Sequence, residues 1–345
     1  MVGSVFEYLN ETKKQIDAHI FNFLPTVHKN PEIDFFYRLM RDYPMRSGKR
    51  LRPALCFLTC EMFGGKTQDA IHTATALELL QSWLLIHDDI EDESILRRGE
   101  PCLHHQHGVP VAINVGDALH CKMWEMLSKN ISLLGYELSF EILSEFIQLS
   151  NRVVEGQHIE LSWMREKRWD VSEEDYWMMC VQKTAWYTCI TPCRLGALIS
   201  SNVQPDQLDQ FVHIGADLGV AFQIQDDVLN LIGEEGTYGK EIAGDISEGK
   251  RTLMLIHLFR SCTESESVIL KNIMSKPRKE KTEIEVYDVL NLMKKYNSIQ
   301  YAEQKSKRFA KKASDGFDQV SSALPGESAK QVFKNLIDFV IERQY

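Results

Sequence analysis

An all-α fold is predicted by three features of this 345-residue chain. Apolar residues recur at the three-and-four spacing of a helix along almost its whole length. Alternating strand-like runs bounded by hairpin turns are absent. Only 10 prolines and 19 glycines are available to break the pattern. At 44% hydrophobic and 26% charged, the chain has the make-up of a globular protein able to bury a large core. No linker composition divides it, so residues 1–345 read as a single domain.

In order, the spacing predicts helices over 4–20, 33–42 and 50–63, the third opening on the basic run Arg46-Ser47-Gly48-Lys49-Arg50-Leu51-Arg52-Pro53. A helix over 67–91 ends in Asp88-Asp89-Ile90-Glu91, with Asp92 just beyond. Helices over 109–129, 137–166 and 173–200 follow, then one over 205–232 that carries Asp226-Asp227 and, one turn on, Asn230. The last four span 251–259, 264–274, 284–318 and 328–343. Ser275-Lys276-Pro277-Arg278-Lys279-Glu280-Lys281-Thr282 is the clearest loop, and Glu234-Glu235-Gly236-Thr237-Tyr238-Gly239 the next. Two helices that each end in an acidic cluster suggest a facing pair within one bundle, a common setting for a metal site.

Chemistry is expected at those clusters. Asp88 and Asp92 stand four residues apart, so their carboxylates stack on one helix face. Like charges at that spacing repel by only about 0.2–0.5 kcal/mol on an exposed helix, but by more in a cleft, where a cation must offset them. Magnesium suits such a place, because it prefers hard oxygen ligands and commonly takes one or two carboxylates together with substrate phosphates. The basic runs supply the other half: besides Arg46–Pro53 there are Arg97-Arg98-Gly99-Glu100-Pro101, Gly239-Lys240 and Gly249-Lys250-Arg251. Glycine lets a backbone approach an anion, and arginine forks match phosphate oxygens two at a time. Any one run alone reads as a solvated patch. Together with two acidic clusters, the runs make the halves of a site that binds and ionises a diphosphate ester.

A formal net charge of -10 argues against a general surface for nucleic acid or anionic membrane, both of which need clustered positive charge. No stretch reaches the ~18 uninterrupted apolar residues of a membrane span. The first residues lack a basic region followed by an apolar run, so a cytoplasmic protein is expected. Eight cysteines in that setting read as buried thiols, the i,i+4 pairs Cys56/Cys60 and Cys189/Cys193 among them. Cys102-Leu103-His104-His105-Gln106-His107 has the composition of a zinc site, but adjacent ligands in a short loop do not easily close a tetrahedron.

Gly48-Lys49-Arg50-Leu51-Arg52-Pro53 and Asp88-Asp89-Ile90-Glu91-Asp92 with Arg97-Arg98-Gly99 are followed by Gly156-Gln157 with Glu160, and by Lys183-Thr184. Phe222-Gln223-Ile224-Gln225-Asp226-Asp227 comes next, then Gly239-Lys240 and Gly249-Lys250. In this order and spacing the chain resembles, nearly end to end, the trans-isoprenyl diphosphate synthases of the farnesyl/geranylgeranyl type. The resemblance implies an isoprenoid-synthase helical bundle around a deep central cavity, usually a homodimer, with the two aspartate-rich motifs facing at its mouth. Asp88 and Asp92 would share Mg2+ with the allylic diphosphate and Asp226 would hold another ion opposite, three ions in all, with Asp89 and Asp227 completing the motifs. Arg97, Lys183 and Lys240 would grip the allylic diphosphate, with Lys250 close by as a further substrate-binding residue, and Lys49, Arg52, Gln81 and Arg98 would bind that of isopentenyl diphosphate. Thr184 and Gln223 would face the allylic cation formed as diphosphate leaves. By the same resemblance, the double bond of isopentenyl diphosphate would attack that cation and a proton would be lost, with no protein nucleophile needed.

Three positions depart from the family pattern: Asn230 and Glu160 stand where aspartate is usual, and Gln81 where many members have histidine. Trp83, five residues before Asp88, lies one to two turns deeper along the helix. In similar enzymes bulk there floors the cavity, and one aromatic beside the non-aromatic Leu84 resembles geranylgeranyl rather than farnesyl diphosphate synthases. A twenty-carbon product is therefore expected, with Leu80 as the next floor. The alternatives are a farnesyl or longer-chain synthase, then a terpene cyclase, which lacks the isopentenyl site, and a non-catalytic partner subunit, which tends to lose the metal aspartates.

Overall fold

The computed structural model describes residues 2–233 and 241–342, and within them the fold is all-α. The chain runs through α1 (Val2–Phe23), α2 (Pro31–Met45), α3 (Leu51–Met62), α4 (Ile71–Glu91), α5 (Leu103–His107), α6 (Val109–Ser128), α7 (Asn130–Leu134), α8 (Tyr136–Arg165) and α9 (Glu173–Cys180). A π-helical stretch (Val181–Ile190) leads into α10 (Thr191–Ile199), followed by α11 (Pro205–Ile232), α12 (Gly244–Glu248), α13 (Leu253–Ser261), α14 (Glu264–Met274), α15 (Glu283–Lys295), α16 (Ser298–Ser321) and α17 (Glu327–Glu342). The loop expected at Glu234–Gly239, and Lys240 after it, lie outside the described residues.

Local chemistry sets most boundaries. The Asn30 side chain accepts the Ile33 N–H and Pro31 enters the first turn of α2, satisfying one orphan donor and removing another. Capping boxes open α9 (Ser172/Asp175), α14 (Thr263/Glu266) and α15 (Thr282/Glu285). Several expectations need correction. Residues 67–70 form turns, so α4 starts at Ile71. The helix expected over 284–318 breaks at Asn297, whose φ of 55° is a left-handed conformation that asparagine tolerates. A short hairpin, β1 (Leu96–Arg97) with β2 (Glu100–Pro101), interrupts the helices; Arg98 and Gly99 both have positive φ, the turn whose twist matches paired strands. Cys121 is exposed, although Cys56, Cys60, Cys189 and Cys193 are buried thiols.

Helix α4 packs along α6, α3 along α10, and α11 along α16, while the π-helical stretch lies against both α8 and α11. Glycines permit that last approach. A Cβ at Gly156 of α8 would fall well inside contact distance of Lys183 N, and one at Gly219 of α11 would collide with the Ala185 side chain. The backbone carrying Lys183 and Thr184 is thereby wedged between the two helices that wall the cavity described below. No helix among the described residues is long and apolar enough to cross a membrane.

Candidate active site

A cavity of about 310 Å³ opens between α4, α8, the π-helical stretch and α11. Asp88 enters it from α4, and Asp226 and Asp227 from α11, so the two acidic clusters line one space. Within each pair the second aspartate is tied to a buried tyrosine. Asp89 is 0% exposed and does not reach the cavity. It accepts from Tyr43 OH (2.6 Å) and from Arg97 through Nε (2.8 Å) and Nη2. Asp227 likewise accepts from Tyr176 OH (2.7 Å) and from Gln223 Nε2 (2.6 Å). Gln223 Oε1 in turn accepts from Thr184 Oγ1 (2.6 Å), which makes a fixed chain of dipoles along one wall.

Asp92 caps α4 and turns into an adjoining pocket of only about 10 Å³, bounded also by Asn230, Asp245 and Lys250. Its Oδ2 accepts from Lys250 Nζ (2.6 Å), while Oδ1 is buried without a donor. Burial, opposed by Lys250 and reinforced by Asp88, pushes the Asp92 carboxyl up to about 8. Burial likewise pushes Asp227 up to about 7, against the Tyr176 and Gln223 hydrogen bonds and with the help of Asp226. Buried acids that resist ionising, one with an orphaned oxygen, fit a hard divalent cation, whose charge would relieve both conditions. Among the described residues no three His, Cys, Asp or Glu side chains form a closed cage. Magnesium does not require one, because it keeps waters and shares its shell with substrate phosphates.

Cations alternate with these acids. Arg97 Nη2 lies 3.3 Å from Asp88, and Lys183 Nζ pairs with Glu160 and stands 3.5 Å from Asp88. Glu160, noted above in an aspartate's place, thus reaches Lys183 directly. Lys250 pairs with Asp92 and with Glu248 (2.8 Å). Burial alone would lower the Lys183 and Lys250 ammoniums; Glu160 and Asp88 raise the first, and Asp92, Glu248 and Asp245 the second, above the ordinary lysine range.

Lys49, Arg52, Gln81 and Arg98 do not line this cavity. Arg98 packs on Gly48, whose added Cβ would come within 3.0 Å of the guanidinium carbon. Burial, opposed by Glu78 and reinforced by Arg50, Arg97 and Arg52, pushes Arg98 down to about 10. Arg50 is balanced by Asp17 (2.7 Å) and Glu78 (3.0 Å). Arg52 donates to Thr188 Oγ1 (2.7 Å) and lies 4.1 Å over the Tyr187 ring, with its Nε buried and unpaired. Among the described residues neither Arg52 nor Arg98 makes an ion pair with a carboxylate. Lys49 Nζ is 5.2 Å from the Phe339 ring, and Gln81 is half-buried on α4.

Of the residues expected to set product length, Leu84 lines the cavity. Trp83 does not; it stacks on His120 of α6 (4.1 Å, 23°), and Leu80 is fully buried. Sequence reasoning missed Asp245, which lines both the cavity and the small pocket and carries no signal beyond an isolated Gly-Asp. It also missed the use made of Asn230, whose Oδ1 accepts from the Asp245 N–H (3.1 Å) and so caps α12.

An all-α bundle whose cavity gathers acids from two helices, with cations between them and a separate arginine group alongside, has the build of an enzyme acting on diphosphate esters. Comparison with known proteins defines it further. The polyprenyl synthetase family model matches residues 34–293. A geranylgeranyl diphosphate synthase of Saccharolobus solfataricus is 33% identical over 338 residues, covering 98% of this chain and 97% of that protein. The crystal structure of geranylgeranyl pyrophosphate synthetase from Pyrococcus horikoshii superposes with a TM-score of 0.84 at 32% identity, covering 99% of each chain. That of geranylgeranyl pyrophosphate synthase from Corynebacterium glutamicum, complexed with isoprenyl diphosphate and magnesium, shares the fold at TM-score 0.87 and 23% identity, covering 98% of this chain and 99% of that one. The chain belongs to the polyprenyl synthetase family.

Proposed function

We propose that the chain is a short-chain trans-prenyltransferase, one domain over 1–345, that condenses isopentenyl diphosphate with dimethylallyl, geranyl or farnesyl diphosphate and yields mainly geranylgeranyl diphosphate. The observation that carries this reading is that Asp88 of α4 and Asp226 of α11 line one cavity together with Arg97, Lys183 and Lys250. Asp88, Asp92 and Asp226 would hold Mg2+, three ions per site, which when bound supplies Lewis-acid stabilisation of the leaving diphosphate. Arg97, Lys183 and Lys250 pair with the acids in the protein alone and are in place to take the allylic diphosphate oxygens. Lys240 shares that role by resemblance. Arg52 and Arg98, with Lys49 and Gln81, hold the second diphosphate; an anion there supplies a counter-charge to the two arginines. Thr184 and Gln223 present oriented dipoles to the allylic cation, and the released diphosphate takes the proton.

A homodimer is part of this reading. Tyr136, Phe140, Ile147 and Val154 of α8 and Ile113 of α6 are exposed apolar side chains, and 140, 147 and 154 repeat every seven residues along one stripe. The free thiols support a reducing, cytoplasmic setting. The deciding experiment incubates the pure protein with Mg2+, isopentenyl diphosphate and each allylic starter, followed by chromatography of the dephosphorylated products. A twenty-carbon main product supports the reading; cyclisation of an allylic diphosphate without isopentenyl diphosphate, or no turnover, refutes it.

A further inference from the structure

We propose that a second cavity, formed by the 168–172 segment and α13, binds a small anion carrying a flat apolar group, an aryl phosphate or aryl carboxylate in chemical class. This space of about 240 Å³ shares no lining residue with the acidic cavity. Its buried cation is Arg251, the member of the Gly249-Lys250-Arg251 run that prenyl transfer leaves without a role. Arg251 is 4% exposed, donates through Nε to the Arg168 carbonyl (2.8 Å) and through Nη1 to that of Gly249, and lies 4.0 Å over the Trp169 ring. Among the described residues Nη2 has no protein acceptor and the guanidinium no carboxylate partner. Burial, with no neighbouring charge to oppose it, pushes Arg251 down to about 10.

The arginines at the rim are already balanced. Arg168 holds Asp170 through two bonds (2.8 and 3.1 Å), and Arg260 holds Glu173 (2.9 Å). The uncompensated charge is therefore that of Arg251, and a buried unpaired cation is costly until an anion joins it. The walls select the rest of the ligand. Trp169 and Phe259 stand 5.3 Å apart at 55°, with Leu255 and Ile256 beside them, surfaces that suit an aromatic ring rather than a bare ion.

The test is calorimetric titration of the full chain, presaturated with Mg2+ and inorganic diphosphate to fill the acidic cavity. Phenyl phosphate and benzoate are the probes, inorganic phosphate and phenol the controls. Both aryl anions should bind at least tenfold more tightly than either control, and a crystal of the phenyl phosphate complex should show its oxygens at Arg251 Nη2. Arg251→Gln should abolish the binding. Should that variant not fold, Arg168→Glu serves, because Arg168 touches Arg251 through its main-chain carbonyl alone. It should weaken phenyl phosphate several-fold with prenyl transfer unchanged. Failure of both aryl anions to bind, equal binding of phenol or of phosphate, or density for the probe in the acidic cavity alone would overturn the proposal.

Discussion

Asp88 and Asp89 are adjacent in sequence and opposite in setting: one meets the cavity, the other is enclosed by Tyr43 and Arg97. Sequence spacing identifies the acidic cluster but cannot separate these two, because Tyr43 stands 46 positions away and reaches Asp89 only in the folded chain. Asp88→Ala is expected to abolish turnover at a cost of several kcal/mol in transition-state stabilisation while the circular dichroism stays helical; more than a tenth of wild-type activity with magnesium would refute the assignment. A pH effect belongs to this scale too. His19 accepts or donates at Thr75 Oγ1 (3.0 Å) and its ring lies 5.1 Å from that of His72. Burial first, then His72 and Lys129, hold His19 below the ordinary imidazole value, and burial and Lys129 do the same to His72. Between the depressed folded value and the unfolded value of about 6.5, the unfolded chain binds more protons, so acidification through that window lowers stability. A His19→Asn/His72→Phe double variant should lose less melting temperature than wild type between about pH 7.5 and 5.5. Parallel curves for the two proteins would remove these histidines as the cause.

Among elements, the 275–282 loop straps the rear of the site. Arg278 donates to the Asp92 carbonyl (3.2 Å), Glu248 (2.7 Å) and Glu241 (2.7 Å), while Lys281 reaches the Ser247 carbonyl (2.6 Å) and Lys279 lies 3.3 Å from Glu93. The loop was legible from its polar composition, but its function was not, since Arg278 and Asp92 are 186 positions apart. Arg278→Ala should lower unfolding stability by about 1–3 kcal/mol through the acceptors left unpaired, and should slow turnover by loosening the segment that holds Lys250. Partial recovery in Arg278→Lys is expected; unchanged denaturant midpoint and turnover in the alanine variant would show that the strap holds nothing. Helix α14 matches the span 264–274 expected from apolar spacing, and in the structure the Thr263/Glu266 capping box fixes its start. The π-helical stretch was not legible, because Val181–Ile190 sits inside one long run read as helix from 173 to 200, and no residue in it marks a shift from i−4 to i−5 bonding. The hairpin was missed because two residues per strand are too few to alternate.

At the scale of the molecule, the proposed dimer and the proposed product length are both to be tested on α4, α6 and α8. The exposed stripe of α8 should join two copies, so light scattering should report twice 39.8 kDa, and Phe140→Glu, which places a charge on a 68% exposed apolar position, should shift that mass towards the monomer. A variant that keeps the wild-type mass would place the contact elsewhere. By the proposed function, product length should depend on the seam between α4 and α6. Leu84 lines the cavity, and beside it the Trp83 ring lies flat on His120, so the indole plugs the space between the two helices rather than facing the acids. A growing chain whose diphosphate is held near Asp88 would, on this proposal, extend away from it along α4, at about 1.5 Å per residue of helix, and meet this stack within one to two turns. Removing the indole deletes the stack and leaves room for further carbons, whereas the buried Leu80 lies beyond it. Trp83→Ala should therefore move the main product from twenty carbons to twenty-five or more, measured by chromatography of dephosphorylated products, with the rate of the first condensation little changed. An unaltered distribution would transfer the floor from Trp83 to Leu80 or to the wall at Leu84.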